Sequence, residues 1–219
     1  MKILLSWSSG KDSAWTLQVL RELGEHEVVG LLTTVNEAFD RVAMHAVRRV
    51  LVEQQAAAAG LPITVVPLPW PCSNSEYEER METVCSNAIE QGVEGVAFGD
   101  LFLEDIRAYR ERQLEDTGLI PIFPIWGRDT SELARKMIDS GLEAHLTCVD
   151  PKVLDRSFAG RRFDAELLKD LPETVDPCGE NGEFHTFVSA GPMFEAPIAV
   201  RMGEIIDRDG FTFADLQPQ

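Results

Sequence analysis

Short apolar runs alternate along this chain with longer amphipathic stretches. Ile3 to Leu5, Val28 to Val35, Ile63 to Leu68 and Gly95 to Phe98 have the length of strands and are apolar enough to be buried on both faces. The intervening segments Ala14 to Leu23, Val42 to Ala59 and Ser75 to Gln91 read as helices. The second of these ends at Gly60 before Pro62, and the third opens on a capping serine with Glu78 three residues on and stops at Gly92. The pattern predicts an α/β fold, a parallel Rossmann-like sheet flanked by helices. Ligands of such sheets gather outside the carboxyl ends of the strands, so the loops after Leu5, Val35 and Phe98 are expected on one rim.

The rhythm breaks at Pro121 to Trp126, where two prolines predict a crossing into a smaller α+β unit. We place the units at 1–125 and 126–219. In the second, Ser131 to Ser140 reads as a helix closed by Gly141, Ala144 to Val149 as a strand and Asp164 to Leu171 as a short helix. Ile198 to Ile206 and Phe211 to Phe213 read as a hairpin about Asp209-Gly210.

Candidate chemistry sits first where strand one meets its helix. Backbone N–H groups left unpaired at a helix N-terminus, with the positive end of the helix dipole, attract phosphate, and Gly10 lets the chain come close. Ser6, Ser8, Ser9, Gly10, Lys11, Asp12 and Ser13 are therefore the candidate nucleotide-binding residues, with Lys11 as a mobile positive charge. A Walker A loop is excluded, because its first glycine and its Ser or Thr are Leu5 and Asp12 here. Asp12 beside a triphosphate calls for a divalent cation between them and is the candidate Mg2+ ligand. The competing reading is a plain helix cap made by Ser8, Ser9 or Asp12.

A second polar cluster, Glu180, Glu183, His185 and Thr186, lies between Pro177 and the apolar Phe187-Val188 and reads as a loop. Carboxylates beside an imidazole hold a metal, position an amine or move a proton; a decorated turn is the alternative. The loop after the second strand leads to His45, which reads equally as a ligand-facing or an interior histidine. Arg110, Glu111 and Arg112 read as a solvated helix face.

Twenty basic against thirty-seven acidic side chains in 219 residues give a net charge of −17, which disfavours a general nucleic-acid binder. Positive potential at a nucleotide site must then be local. Cys72, Cys85, Cys148 and Cys178 show no paired spacing, which fits a reducing cytoplasm, and neither they nor His26, His45, His145 and His185 have zinc-site spacing. No apolar stretch approaches the ~20 residues of a membrane helix.

Ser8-Ser9-Gly10-Lys11-Asp12-Ser13 resembles the pyrophosphate loop, Ser-Gly-Gly-x-Asp-Ser, of the ATP pyrophosphatases, with Ser9 in place of one glycine. Cys178-Gly179-Glu180-Asn181-Gly182-Glu183-Phe184-His185-Thr186, followed by Gly191-Pro192-Met193-Phe194, resembles the C-terminal signature of the diphthine ammonia ligase family, in a form closer to its bacterial members. Gly99-Asp100 with Arg107, Pro124-Ile125-Trp126 and Cys148-Val149-Asp150 continue the likeness. The resemblance implies an adenine nucleotide alpha hydrolase-like fold, ATP and Mg2+ as cofactors, and adenylation of a carboxylate with loss of pyrophosphate. Ammonia or an amine would then displace AMP. It assigns catalysis to Lys11, Glu180, Glu183, His185 and Thr186, and adds Gly99, Asp100 and Arg107 to the nucleotide site. The carboxylate belongs to a small molecule or to a protein; eukaryotic and archaeal members act on a modified histidine of an elongation factor. A homo-oligomer is compatible with these residues. Competing readings are an ATP or AMP sensor without turnover and a tRNA-modifying ATP pyrophosphatase, the latter disfavoured because neither paired cysteines nor a basic face is present. Replacing Lys11 and Asp12 by alanine is expected to weaken Mg-ATP binding by at least about tenfold in calorimetry, the scale of one charge-assisted hydrogen bond.

Overall fold

The computed structural model describes residues 1–219, and the chain alternates strand and helix through its first half. β1 (Lys2–Ser6), α1 (Lys11–Leu23), β2 (Glu27–Asn36), β3 (Arg41–Val42), α2 (Arg49–Ala58), β4 (Ile63–Leu68), α3 (Asn74–Glu90), β5 (Gly95–Ala97), α4 (Glu104–Leu114) and β6 (Ile120–Ile122) build a mostly parallel sheet with flanking helices. β1 pairs in parallel with β2 on one side and β5 on the other, β4 extends the sheet beyond β2, and β6 beyond β5. Chain order therefore reverses between β1 and β5, and the crevice at their carboxyl ends is where such sheets bind ligands. α5 (Thr130–Asp139), β7 (Glu143–Val149), α6 (Ala165–Asp170), β8 (Phe184–Ala190), β9 (Val200–Arg208) and β10 (Phe211–Pro218) follow. The last four strands form an antiparallel sheet in the order β8, β7, β10, β9. The α/β class and the smaller α+β element set are as the hydrophobic pattern predicts.

Three boundaries differ from expectation, each for a physical reason. The helix expected from Val42 begins at Arg49, because Val42 pairs with Val35 in β3 and Met44 and Ala46 take left-handed φ of 61° and 54°. α3 is capped by Ser73 rather than Ser75: the Ser73 hydroxyl accepts from the Glu76 amide at 3.3 Å, and the Glu76 carboxylate accepts from the Ser73 amide at 2.9 Å. Pro121, expected in a crossing, lies within β6, an edge strand that tolerates its missing N–H. The hairpin turns at Asp209 and Gly210, both left-handed at φ 52° and 84°, as a two-residue turn requires.

One apolar core runs through both sheets. It joins Ile3, Trp7, Leu17, Leu31 and Leu51 to Met137, Leu146, Phe184, Phe187 and Met193. A smaller cluster of Leu4, Cys85, Val93, Val96 and Leu114 lies under α3 and α4. No helix is long and apolar enough to cross a membrane.

Gly95 shows how tightly the central strands are set, since a Cβ there would lie 2.7 Å from the Ile120 carbonyl oxygen of β6 and 3.2 Å from Ile122. Gly95→Ala is expected to destabilise the fold by about 1–3 kcal/mol, the usual cost of overpacking. The check is the urea midpoint, which should fall at unchanged slope.

Candidate active site

The candidate phosphate loop is braced from below. Gln55 of α2, fully buried, accepts from Trp7 Nε1 at 2.9 Å and donates its amide to the carbonyls of Ser9 (3.0 Å) and Val188 (2.7 Å). Ser9, at the family's glycine position, holds φ 73°, and its buried hydroxyl has no partner. Ser8 Oγ accepts from the Gly10 amide and meets Ser13 Oγ at 3.2 Å. None of Ser8, Ser9 or Asp12 caps α1; its N-cap is Gly10. The cap comes instead from the distant second motif, because the Lys11 amide donates to Thr186 Oγ1 at 3.0 Å. The Val188 amide also donates to the Ser9 carbonyl at 3.1 Å. The amide of Ser13 has no protein partner and remains available to an anion, while that of Asp12 turns to its own carboxylate.

Lys11 is not the mobile charge expected. Its side chain is 2 % exposed, and its ammonium donates to the Asp12 carboxylate at 2.8 Å and to the Cys178 carbonyl oxygen. Burial alone would drive its proton off, but Asp12 beside it outweighs this and holds the pKa above the ordinary lysine value. Lys11 thus ties the two motifs together.

The second motif is half strand rather than all loop. Phe184, His185 and Thr186 belong to β8 and pair with β7, whose register shifts between Leu146 and Cys148 opposite them. His185 and Thr186, neighbours in sequence, both line the cavity beside that shift. Glu180 turns the other way: its carboxylate accepts from the amides of Leu101 (2.7 Å) and Phe102 (3.4 Å). Desolvation, helped by Asp12 and Asp100, pushes it up to about 7 despite those two bonds. Glu183 faces into its own loop, accepting from the Asp176 amide at 3.0 Å and Asn181 Nδ2 at 2.9 Å, and does not line the cavity.

Two arginines of α4 stand opposite to the places expected of them. Arg107 lies over the rings of Phe123 and Trp126 at 4.8 and 4.9 Å and pairs with Glu111, outside the cavity lining. Arg110, expected on a solvated face, lines the cavity instead and lies 3.8 Å from Asp100. Gly99 sits over the first turn of α1, where a Cβ would come within 3.0 Å of the Asp12 backbone. Together Ser6, Ser8, Lys11, Asp12, Ser13, Gly99, Asp100, Glu180, His185 and Thr186 line one cavity of about 1030 Å³ at the ends of β1, β2 and β5. Its size suits a nucleotide together with a second substrate.

His45, from the loop between β3 and α2, completes that wall. Its ring stands 4.6 Å from His185, and Nδ1 donates to the Thr186 carbonyl at 3.1 Å. Desolvation lowers both imidazoles, His45 to about 3 and His185 to about 4, so both are neutral at pH 7. The signal for His45 was its place after the second strand; Arg110 had none beyond a helical spacing of three from Arg107.

No three His, Cys, Asp or Glu side chains converge as a metal cage. The Asp12 carboxylate, which lines the cavity, is an oxygen donor that fits a Mg2+ taking its remaining ligands from phosphate and water.

Comparison with known proteins matches residues 1–121 to the family described as diphthamide synthase N-terminal domain and residues 129–216 to the diphthamide synthase C-terminal domain. The chain belongs to the diphthamide synthase family. Among the relatives of this diphthamide synthase family member, the diphthine–ammonia ligase of Bos taurus is 25% identical over 98% of this chain and 88% of its own length. That of Danio rerio is 27% identical over 98% and 92%. That of Schizosaccharomyces pombe is 27% identical over 94% of this chain but only 37% of its own length. Their names describe an amide-forming ligation, the reaction class expected from the sequence.

For this diphthamide synthase family member the raised Glu180 carboxyl gives a direct test. Its neutral form contributes stability that is present below its ordinary value and lost as pH rises through about 7. Carbon-detected NMR should find one glutamate carboxyl titrating near pH 7, absent in Glu180→Gln, and the variant's stability should fall less between pH 5 and 8.

Proposed function

We propose that this member of an amide-ligase family adenylates a carboxylate at the expense of ATP, releases pyrophosphate, and lets ammonia displace AMP. One observation carries the reading: the pyrophosphate-loop motif and the C-terminal signature, 175 residues apart, meet in the bond from the Lys11 amide to Thr186 Oγ1. Nucleotide and acceptor chemistry thereby share one cavity.

In this reading the free Ser13 amide and the hydroxyls of Ser8 and Ser13 bind the terminal phosphates, Asp12 would hold Mg2+, and adenine lies across the end of β2 near Thr33 and Thr34. Mg2+ supplies charge neutralisation of the triphosphate. Attack of the acceptor carboxylate on the α phosphorus expels pyrophosphate. Lys11 stabilises the developing charge from its tethered place, and Arg110, which faces the cavity, takes the role the family pattern suggested for Arg107. Ammonia attacks the acyl carbon, AMP leaves with the electron pair of the broken C–O bond, and His185 accepts the surplus proton. Glu180, titrating near neutrality, exchanges protons at the mouth between the β5 loop and the signature. Glu183 holds the signature loop in shape. The catalytic halves are the units 1–125 and 126–219, working in a reducing cytoplasm that keeps the four cysteines free. The acceptor is a small-molecule or protein carboxylate, with diphthine as the first candidate because the relatives are named for it.

Incubation with labelled ATP, Mg2+, ammonium and either a diphthine-bearing protein or a soluble metabolite extract should yield AMP and pyrophosphate. ADP and phosphate as the sole products would overturn the adenylation reading. His185→Ala is expected to slow amide formation by about 10²-fold, the low end for a proton-transfer group, while the ATP affinity measured by calorimetry stays unchanged.

A further inference from the structure

The eight residues Arg41 to Arg48 form a closed loop with His45 near its tip. Arg41 and Arg48 bridge its ends, the Val42 amide donates to the Val47 carbonyl at 2.8 Å, and Val42 and Val47 are buried in the core. His45 is flanked by Met44 and Ala46, both left-handed without being glycine. Such a conformation is unfavourable for a residue with a Cβ and persists only where the surroundings enforce it.

The enforcement comes from the far end of the chain. Asp215 of β10 accepts from Arg41 Nη2 at 2.9 Å, from Arg48 Nε at 3.0 Å and from Arg48 Nη2 at 2.7 Å, so one carboxylate grips both ends of the loop. Arg41 in turn donates through Nη1 to the Ala46 carbonyl at 2.7 Å, next to His45. Those bonds, with one more from Gln217 Nε2 at 3.0 Å, outweigh its partial burial and hold the Asp215 carboxyl down at about 2. At the other end of the lever the imidazole packs on Gly10, where a Cβ would meet His45 Cε1 at 2.9 Å. Because Nδ1 donates to the Thr186 carbonyl, the neutral ring carries its lone pair on Nε2, which has no partner in the protein. Both nitrogens of His185 are likewise without one, and the two rings line the same cavity wall.

We propose that His45 is a second proton-handling residue of the amidation step, and that Asp215, through Arg41 and Arg48, is the residue that positions it. The inference rests on the ligase reading above. Ammonia forms the C–N bond with its lone pair, the C–O bond to AMP breaks with its electrons leaving on the AMP phosphate, and the one proton lost from nitrogen passes to His185, from it to Nε2 of His45, whose ring lies 4.6 Å away, and then to solvent. The groups facing the ring are His185, Lys11 and the Thr186 carbonyl. Two neighbouring imidazoles let His185 take the proton from the nucleophile while His45 passes it on.

The test has two arms. In nitrogen NMR of the whole chain, wild-type His45 should show a neutral ring protonated at Nδ1 throughout pH 5 to 8. In Asp215→Asn and Arg41→Ala the ring should exchange tautomers and its midpoint should move up towards the ordinary 6.5. Asp207→Asn, which removes the Arg156 pair on neighbouring β9, should leave the spectrum as in wild type. An unchanged His45 spectrum in both clamp variants would overturn the positioning role. In assays with ATP, Mg2+, ammonium and a diphthine-bearing protein, Asp215→Asn and His45→Gln should each cut amide formation at least about tenfold without altering the KM for ATP. The double variant should be no slower than His45→Gln alone, because both changes act on one group. Full activity in His45→Gln, or additive losses in the double variant, would overturn the proposal. A wild-type protein that makes no AMP and pyrophosphate with this acceptor or with a metabolite extract would count against the ligase reading, leaving the spectroscopic arm to decide the role of Asp215.

Discussion

The site depends on one cross-chain cap. A helix that begins with glycine has no side chain to satisfy its first amides, and here the Lys11 amide finds its acceptor in Thr186, on a strand of the other sheet. The Lys11 ammonium repeats the link to the Cys178 carbonyl, and the Val188 amide repeats it to Ser9. Three bonds between polar groups with little access to water are strong because any one left unmade strands a buried donor or acceptor. The loop from Ser8 to Ser13 therefore takes its shape only when β8 is docked, and the two motifs enter the cavity together.

Electrostatics follow the same economy. In a chain of net charge −17, any positive potential in the crevice has to be local. Lys11 and the start of α1 face the crevice at β1, Arg110 faces it from α4, and Arg107 is spent on the rings of Phe123 and Trp126. Glu180 and Asp100 close the ring with carboxyls that desolvation pushes upward.

Much of this was legible in the sequence, because strand length, apolar runs and glycine stops are local signals. β1, β2, β4 and β5 lie where the apolar runs predict, as do α5, α6 and the final hairpin. The local signals failed where a partner far along the chain decided the outcome. Val42 to Arg48 has helical composition, yet the pull of Asp215 on two arginines and of Thr186 on His45 unwinds it. Phe184 to Thr186 looks like a polar loop, yet pairing with β7 makes it a strand. Arg107 and Arg110 lie one turn apart on the same helix, and only the positions of Phe98, Phe123 and Trp126 sort them.

Gln55 shows what such interior wiring demands of the residues it uses. Its carboxamide offers one acceptor to an indole N–H and two donors to carbonyl oxygens, matching the polarity of Trp7, Ser9 and Val188 atom by atom. An acidic side chain of the same shape would set a second oxygen against two carbonyls in a place that no water reaches. The chain as a whole carries a net charge of −17, whereas at this one buried position a single exchange of nitrogen for oxygen would push apart the three segments that make the floor of the crevice.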